Sequence, residues 1–204
     1  MNLRLTRLGV PASLQAWVNV TSRATFDYGG SLEVFGDNFH KVPTTANLWL
    51  GGSRAAAHVI ITHSAIEALA LLSRNLNHFP DLDRLCVIAL GNLPSSGQLQ
   101  WIRQYLKNRR FVLGFGNDLL ASLMDIKVAA GLKGKETKIW LSGTNVTIQC
   151  RNQSCRFEAA SLSLNVFEKA FGLRTGIRTR KPGRHATYFD HLTNNAETDE
   201  ILTS

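Results

Sequence analysis

Apolar residues follow two regimes along the chain. Up to about residue 57 they come in short, isolated groups: Ser31-Leu-Glu-Val-Phe35 and Asn47-Leu-Trp-Leu50 read as short strands, and Tyr28-Gly-Gly, Gly36-Asp-Asn and Gly51-Gly-Ser supply turns. From His58 a strand and a helix alternate. His58-Val-Ile-Ile-Thr62 predicts a strand, and Ser64 opens a helix in which Glu67 completes a capping box. Ile66, Leu69, Ala70, Leu72 and Leu76 recur at helical spacing. Leu85-Cys-Val-Ile-Ala-Leu90 is apolar throughout, as a strand covered on both faces is. A helix starting at Ser95 or Ser96 then turns Leu99, Ile102, Tyr105 and Leu106 inward, and Lys107, Arg109 and Arg110 suit its carboxyl end. Phe111 to Phe115 predicts a third strand, and Leu119 to Ala130 a third helix stopped by Gly131. Lys138-Ile-Trp-Leu141 predicts a fourth strand of the same sheet.

This alternation implies an α/β fold with a mostly parallel, Rossmann-like sheet of four strands flanked by helices. Val146–Cys150 and Ser154–Glu158 predict a hairpin, followed by a helix over Leu164–Leu173. The organisation expected is a β-rich, loop-containing appendage (1–57), an α/β domain that ends in the hairpin and helix extension (58–192), and a polar tail (193–204).

Composition narrows the picture little. With 44% hydrophobic and 19% charged residues in 204, the chain is an ordinary globular one. Its net charge of +8 favours polyanionic partners, DNA or RNA foremost, although a basic protein need have no such partner. Three cysteines do not make a disulfide framework, and the Cys150/Cys155 spacing lacks the second pair a zinc site needs. A turn between strands explains that pair, and Cys86 reads as a buried thiol. The absence of a long apolar run and of a signal-peptide core leads to the expectation of a cytoplasmic protein without a membrane partner.

Three turns carry the candidate chemistry. Ile61-Thr-His-Ser-Ala-Ile-Glu-Ala-Leu69 follows the first regular strand, Ala89-Leu-Gly-Asn-Leu-Pro94 the second, and Gly114-Phe-Gly-Asn-Asp118 the third. Together with Thr187-Tyr-Phe-Asp190-His-Leu192, they resemble the motifs of a Toprim domain over roughly residues 45–192. That family includes primases, topoisomerases, OLD-type nucleases and primase-like or mobilisation proteins of mobile elements, especially in Bacteroidetes. The resemblance implies a glutamate at the end of strand one and two aspartates at the end of strand three, which bind Mg²⁺ and act on a phosphoester. Here His63 stands at the glutamate position, Gly116 at the first aspartate position, and Ala121 where a glycine follows. Asp118 alone survives. Mg²⁺ binds through clustered oxygen ligands, so this set implies a weak or absent site.

His63 has two readings: a proton donor or phosphate contact at a pocket mouth, or a polar residue on a decayed edge. Asp118 is a candidate catalytic and metal residue or a helix cap. Asp190 joins it as a candidate metal ligand if the C-terminal segment folds back, whereas Glu67 is better placed for capping. Arg174, Arg178, Arg180, Lys181 and Arg184 form the densest positive stretch and are candidate nucleic-acid contacts or a solvated loop. Trp17, Trp49, Trp101 and Trp140 could stack on bases, but Trp49 and Trp140 sit in strand-like runs that favour core packing. Three functions remain open: a catalytically weak or inert nucleic-acid-binding or interaction component of a replication or mobilisation complex, a metal-dependent nuclease, nickase or primase accessory with a rearranged acidic site, and a structural or partner-binding domain.

Overall fold

The computed structural model describes residues 1–194 and has a mixed α/β fold built on three sheets with flanking helices. Two short helices, α1 (Leu3–Arg7) and α2 (Ala12–Trp17), precede an antiparallel sheet of β1 (Thr25–Asp27), β2 (Leu32–Phe35) and β3 (His40–Lys41). The main sheet contains β4 (Trp49–Gly52), β5 (His58–Thr62), β6 (Leu85–Ala89), β7 (Arg110–Leu113) and β11 (Arg178–Thr179) in the order β11-β7-β5-β6-β4. All its pairings are parallel except β4 against β6. Helices α3 (Ala65–Asn75), α4 (Ser96–Tyr105) and α5 (Leu119–Leu132) follow β5, β6 and β7.

Strand alternation divides the core. Ile60, Leu85, Val87 and Ala89 pack with α3 and the N-terminal region. Val59, Ile61, Cys86, Ile88 and Leu113 pack with α4 and α5 on the other face. α5 is apolar on nearly every side because it is also covered by the third sheet, of β8 (Thr137–Ser142), β9 (Asn145–Cys150) and β10 (Gln153–Glu158), and by α6 (Leu164–Ala170). Gly131 is not a helix stop. It lies within α5, where a Cβ would come 2.4 Å from Leu99 Cδ1, and the turn out of the helix is made by Gly134 at φ +67°.

Other expectations need correction. The Lys138–Leu141 strand does not join the parallel sheet. It is the edge of the antiparallel β8–β10 sheet, and the fourth parallel strand is the two-residue β11. A strand following a helix can pair with its own downstream hairpin as easily as it can return to the first sheet, and local pattern does not distinguish the two. Trp49–Gly52, from the segment read as an appendage, forms the antiparallel edge of the main sheet. Trp49 is buried as expected, but Trp140 is 49% exposed and Tyr105, expected inward, is 63% exposed. The tail from residue 195 lies outside the described residues.

One buried side chain joins the N-terminal sheet to the main one. Glu33 in β2 is fully buried, and its carboxylate accepts hydrogen bonds from Ala65 N–H (2.7 Å) and Ile66 N–H (3.1 Å) in the first turn of α3. It also accepts the Tyr28 hydroxyl (2.6 Å) and lies 2.9 Å from His40 Nε2. A carboxylate at a helix N-terminus satisfies orphan N–H donors and is favoured by the dipole. Glu33→Ala leaves those donors buried and unpaired. It is expected to cost about 3–5 kcal/mol, read as a lower urea midpoint, with Glu33→Gln costing less.

Candidate functional site

In a parallel sheet, side chains for chemistry collect at the carboxyl edge. Here that edge carries His63 after β5, Leu90-Gly91 after β6 and the loop Gly114–Asp118 after β7. β5 and β7 are paired neighbours, so the turns bearing His63 and Asp118 adjoin. Burial, the largest influence, holds His63 below its ordinary pKa against the pull of Glu33 and Asp118. The imidazole is therefore neutral near pH 7 and approaches two carboxylates without being a cation.

The acids at this edge are engaged in holding the backbone. Asp118 is the N-cap of α5, its Oδ1 accepting Ala121 N–H at 2.7 Å. Asp190 forms a reciprocal cap with Thr187: Oδ2 accepts Thr187 N–H (3.1 Å) and Thr187 Oγ1 accepts Asp190 N–H (3.0 Å). Glu67 does not complete the capping box of α3. Ser64 Oγ does accept Glu67 N–H, but the Glu67 carboxylate turns away and accepts Tyr188 N–H (3.0 Å) and Phe189 N–H (3.1 Å), which begin the helical residues 188–194. Burial, partly offset by these bonds, pushes Glu67 above the usual carboxylate range. Among the described residues no group of three or more His, Cys, Asp or Glu could hold a metal ion.

The segment 181–187 lies directly on the β7 loop. Asn117 N–H donates to Ala186 O at 2.8 Å, and Asn117 Nδ2 donates to Gly183 O and to His185 O. Lys181 is not a free cation. Its Nζ donates to Gly116 O (2.7 Å) and to Asp125 Oδ2 (2.6 Å), while Asp125, in α5, is 1% exposed. Burial pushes Asp125 up to about 6 even with the Lys181 ammonium beside it, and its Oδ1 finds no partner. Arg180 is also engaged, with Asn75 Oδ1 and with the Phe79 ring 5.6 Å away. Arg174, Arg178 and Arg184 are exposed. Two of the five basic residues are thus held by contacts within the chain, and three are exposed.

The opposite, amino edge has a different character. Helices α3, α4 and α5 run back from the carboxyl edge and end here, and helix carboxyl ends favour basic side chains. A cavity of ≈ 450 Å³ is lined by His58, His78, Arg84, Arg178 and Arg180, with Phe79 as a wall. Its one carboxylate, Asp81, accepts Asp83 N–H. A second cavity of ≈ 290 Å³ is lined by Arg103, Lys107, Arg109 and Lys133 without any carboxylate. Cys86, the second residue of β6, is pushed up to about 11 by burial, opposed by the nearby Arg54 and Arg109 guanidiniums. The sequence places Lys107, Arg109 and Arg110 at a helix carboxyl end but does not single out Glu33, Asp125, Arg54 or Arg84. The available signal was that basic residues recur where each crossover helix stops.

No family model, curated protein or solved structure matches the chain.

Two substitutions test this account of the carboxyl edge. Lys181→Met strands the Asp125 carboxylate and is expected to destabilise by about 3 kcal/mol at neutral pH. The Lys181 ammonium holds Asp125 down to about 6 against burial, so without it Asp125 takes up its proton at a higher pH, and the deficit relative to wild type shrinks as pH falls toward 6 and is lost below that value. Urea melts of Lys181→Met at several pH values should show the deficit shrinking on acidification. Gly116→Asp, which supplies the first aspartate of the Toprim pattern, places a Cβ 2.3 Å from Ala186 O. It should lower stability by about 1–3 kcal/mol, and calorimetric Mg²⁺ titration should show no new binding.

Proposed function

We propose that this chain is a Toprim-like α/β protein that binds nucleic acid through the amino edge of its main sheet and does no phosphoester chemistry of its own. The observation that carries the reading is the distribution of unpaired charge. All 23 lysines and arginines fall within the described residues, and there Lys181 is the one paired with a carboxylate. Basic side chains without a carboxylate partner among the described residues gather where α3, α4 and α5 end. Such a cluster neutralises phosphates and gains from counterion release.

The Toprim-like part of the reading is supported by the adjacency of the β5 and β7 turns and by the three strand–turn–helix units in the resembling order. The non-catalytic part is supported by the use of Asp118, Asp190 and Glu67 as caps, and by the loop 181–187 lying over the β7 turn. Within this reading, the protein is the DNA- or RNA-holding component of a replication or mobilisation complex whose chemistry is done elsewhere.

The test is fluorescence anisotropy with labelled oligonucleotides at about 50 and about 200 mM salt. Wild type should bind with a steep salt dependence. The double variant Arg84→Glu/Arg178→Glu should weaken binding at low salt and flatten the slope by roughly 1–2, whereas Asp118→Ala should leave both unchanged. A Mg²⁺-dependent cleavage or nicking activity that disappears in Asp118→Ala would replace this reading with that of a metal-dependent enzyme.

A further inference from the structure

The exposed back of α4 combines two kinds of side chain that are rarely left in water together. On one flank, the Trp101 and Tyr105 rings lie 5.0 Å apart, tilted by 33°. The Arg54 guanidinium stands 6.0 Å from the Trp101 ring. Trp101 is half-buried against the core, while Tyr105 is 63% exposed at the last residue of the helix. On the other flank is Arg103, and Lys107 follows in the turn beyond the helix. Residues two apart on a helix lie on opposite flanks, and residues four apart share one. Trp101 and Tyr105 therefore share one side of the helix and Arg103 lies on the other, with exposed Gln100 and Gln104 between them, and Lys107 stands in the turn just beyond the helix end. Leu99, Ile102 and Leu106 face the core beneath.

The basic flank is continuous with the cavity that Arg103, Lys107, Arg109 and Lys133 line. The buried Nε of Arg109 has no hydrogen-bond acceptor, although a buried N–H normally finds one. Single exposed aromatics are common and need no explanation. This one is a close, tilted ring pair with a guanidinium beside it, on a helix whose other flank adjoins a cavity lined by four cations and no carboxylate, Glu136 lying with Arg103 in the next cavity.

Resting on the nucleic-acid reading above, we infer that the back of α4 is a saddle for single-stranded nucleic acid: one or two bases stack on the Trp101–Tyr105 pair, and the adjoining phosphates cross to Arg103, Lys107, Arg109 and Lys133. Base–aromatic stacking needs an unpaired base with a free face, which a duplex does not offer away from its ends. The charge of the second side suits the phosphates of a nucleic-acid backbone. The helix separates the aromatic pair from Arg103, so a strand that contacts both must bend across its back.

The experiment compares an oligothymidylate with a duplex of equal length by anisotropy, and follows tryptophan emission in the same titrations. Wild type should prefer the single strand, with quenching that is lost in Trp101→Phe and retained in Trp140→Phe. Tyr105→Ala, at an exposed position and checked for folding by circular dichroism, should weaken single-strand binding roughly tenfold without changing the salt slope. Lys107→Glu/Lys133→Glu should reduce the slope by roughly 1–2 while preserving the quenching that remains. Salt-sensitive binding that Tyr105→Ala leaves untouched, or tighter binding to duplex without quenching, would overturn the saddle and leave the nucleic-acid reading standing. No binding by wild type to either probe at about 50 mM salt would overturn that reading, and the saddle with it.

Discussion

The first turn of α3 ties the molecule together. Two buried glutamates meet there in opposite roles. Glu33 arrives from β2 and accepts the N–H groups that open the helix, while Glu67 leaves from the helix itself and accepts the N–H groups that open the helical residues 188–194. One carboxylate therefore binds the N-terminal sheet to the α/β core, and the other binds the C-terminal segment to the same place. Both compensate for desolvation by filling donor sites that a helix start cannot satisfy alone. The arrangement places residues 33, 65 and 188 within one polar network inside an otherwise apolar layer.

That network has a consequence for the edge of the sheet where chemistry would be expected. Once residues 188–194 are anchored on Glu67, the preceding loop has little choice but to run across the end of β7. Lys181 then reaches Asp125 and Gly116 O, and Asn117 bonds the loop carbonyls. A carboxylate that caps a helix or holds a loop has given its lone pairs to fixed N–H donors, and a cation would have to displace them. Gly116 belongs to the same arrangement, since a side chain there would meet the Ala186 carbonyl. The tight approach of the two loops and the glycine at position 116 are one structural fact.

Charge is sorted by the same topology. Crossover helices in a parallel sheet begin at the carboxyl edge and end at the amino edge, so caps and acids gather at one side and lysines and arginines at the other. In this chain the amino-edge cations have few acids to pair with, which leaves two cavities walled by guanidinium, ammonium and imidazole groups. The polar side chain of Gln98 performs a related task at the carboxyl edge. It closes the capping box of α4 and donates to Asn47 O and Leu90 O, fastening the approach to β4 against the end of β6.

The elements from His58 to Leu132 were legible from the sequence because each rests on local physics. An all-apolar five-residue run, a serine cap and a 3.6-residue apolar repeat specify strand, turn and helix without reference to distant residues. The caps at Ser64, Ser95 and Asp118 and the hairpin between Cys150 and Gln153 belong to the same class. What tertiary structure alone decided is partner choice. Nothing near Lys138–Leu141 states that it will pair with its own hairpin, and nothing near Arg178 states that two residues will complete the parallel sheet. Glu33, Glu67, Asp125 and Lys181 look like ordinary surface charges in the sequence. Each has a partner more than 30 positions away, up to 122 between Glu67 and Phe189. Local pattern fixes the backbone state of a segment; the pairing of buried charges depends on which segments meet, and that is a property of the whole chain.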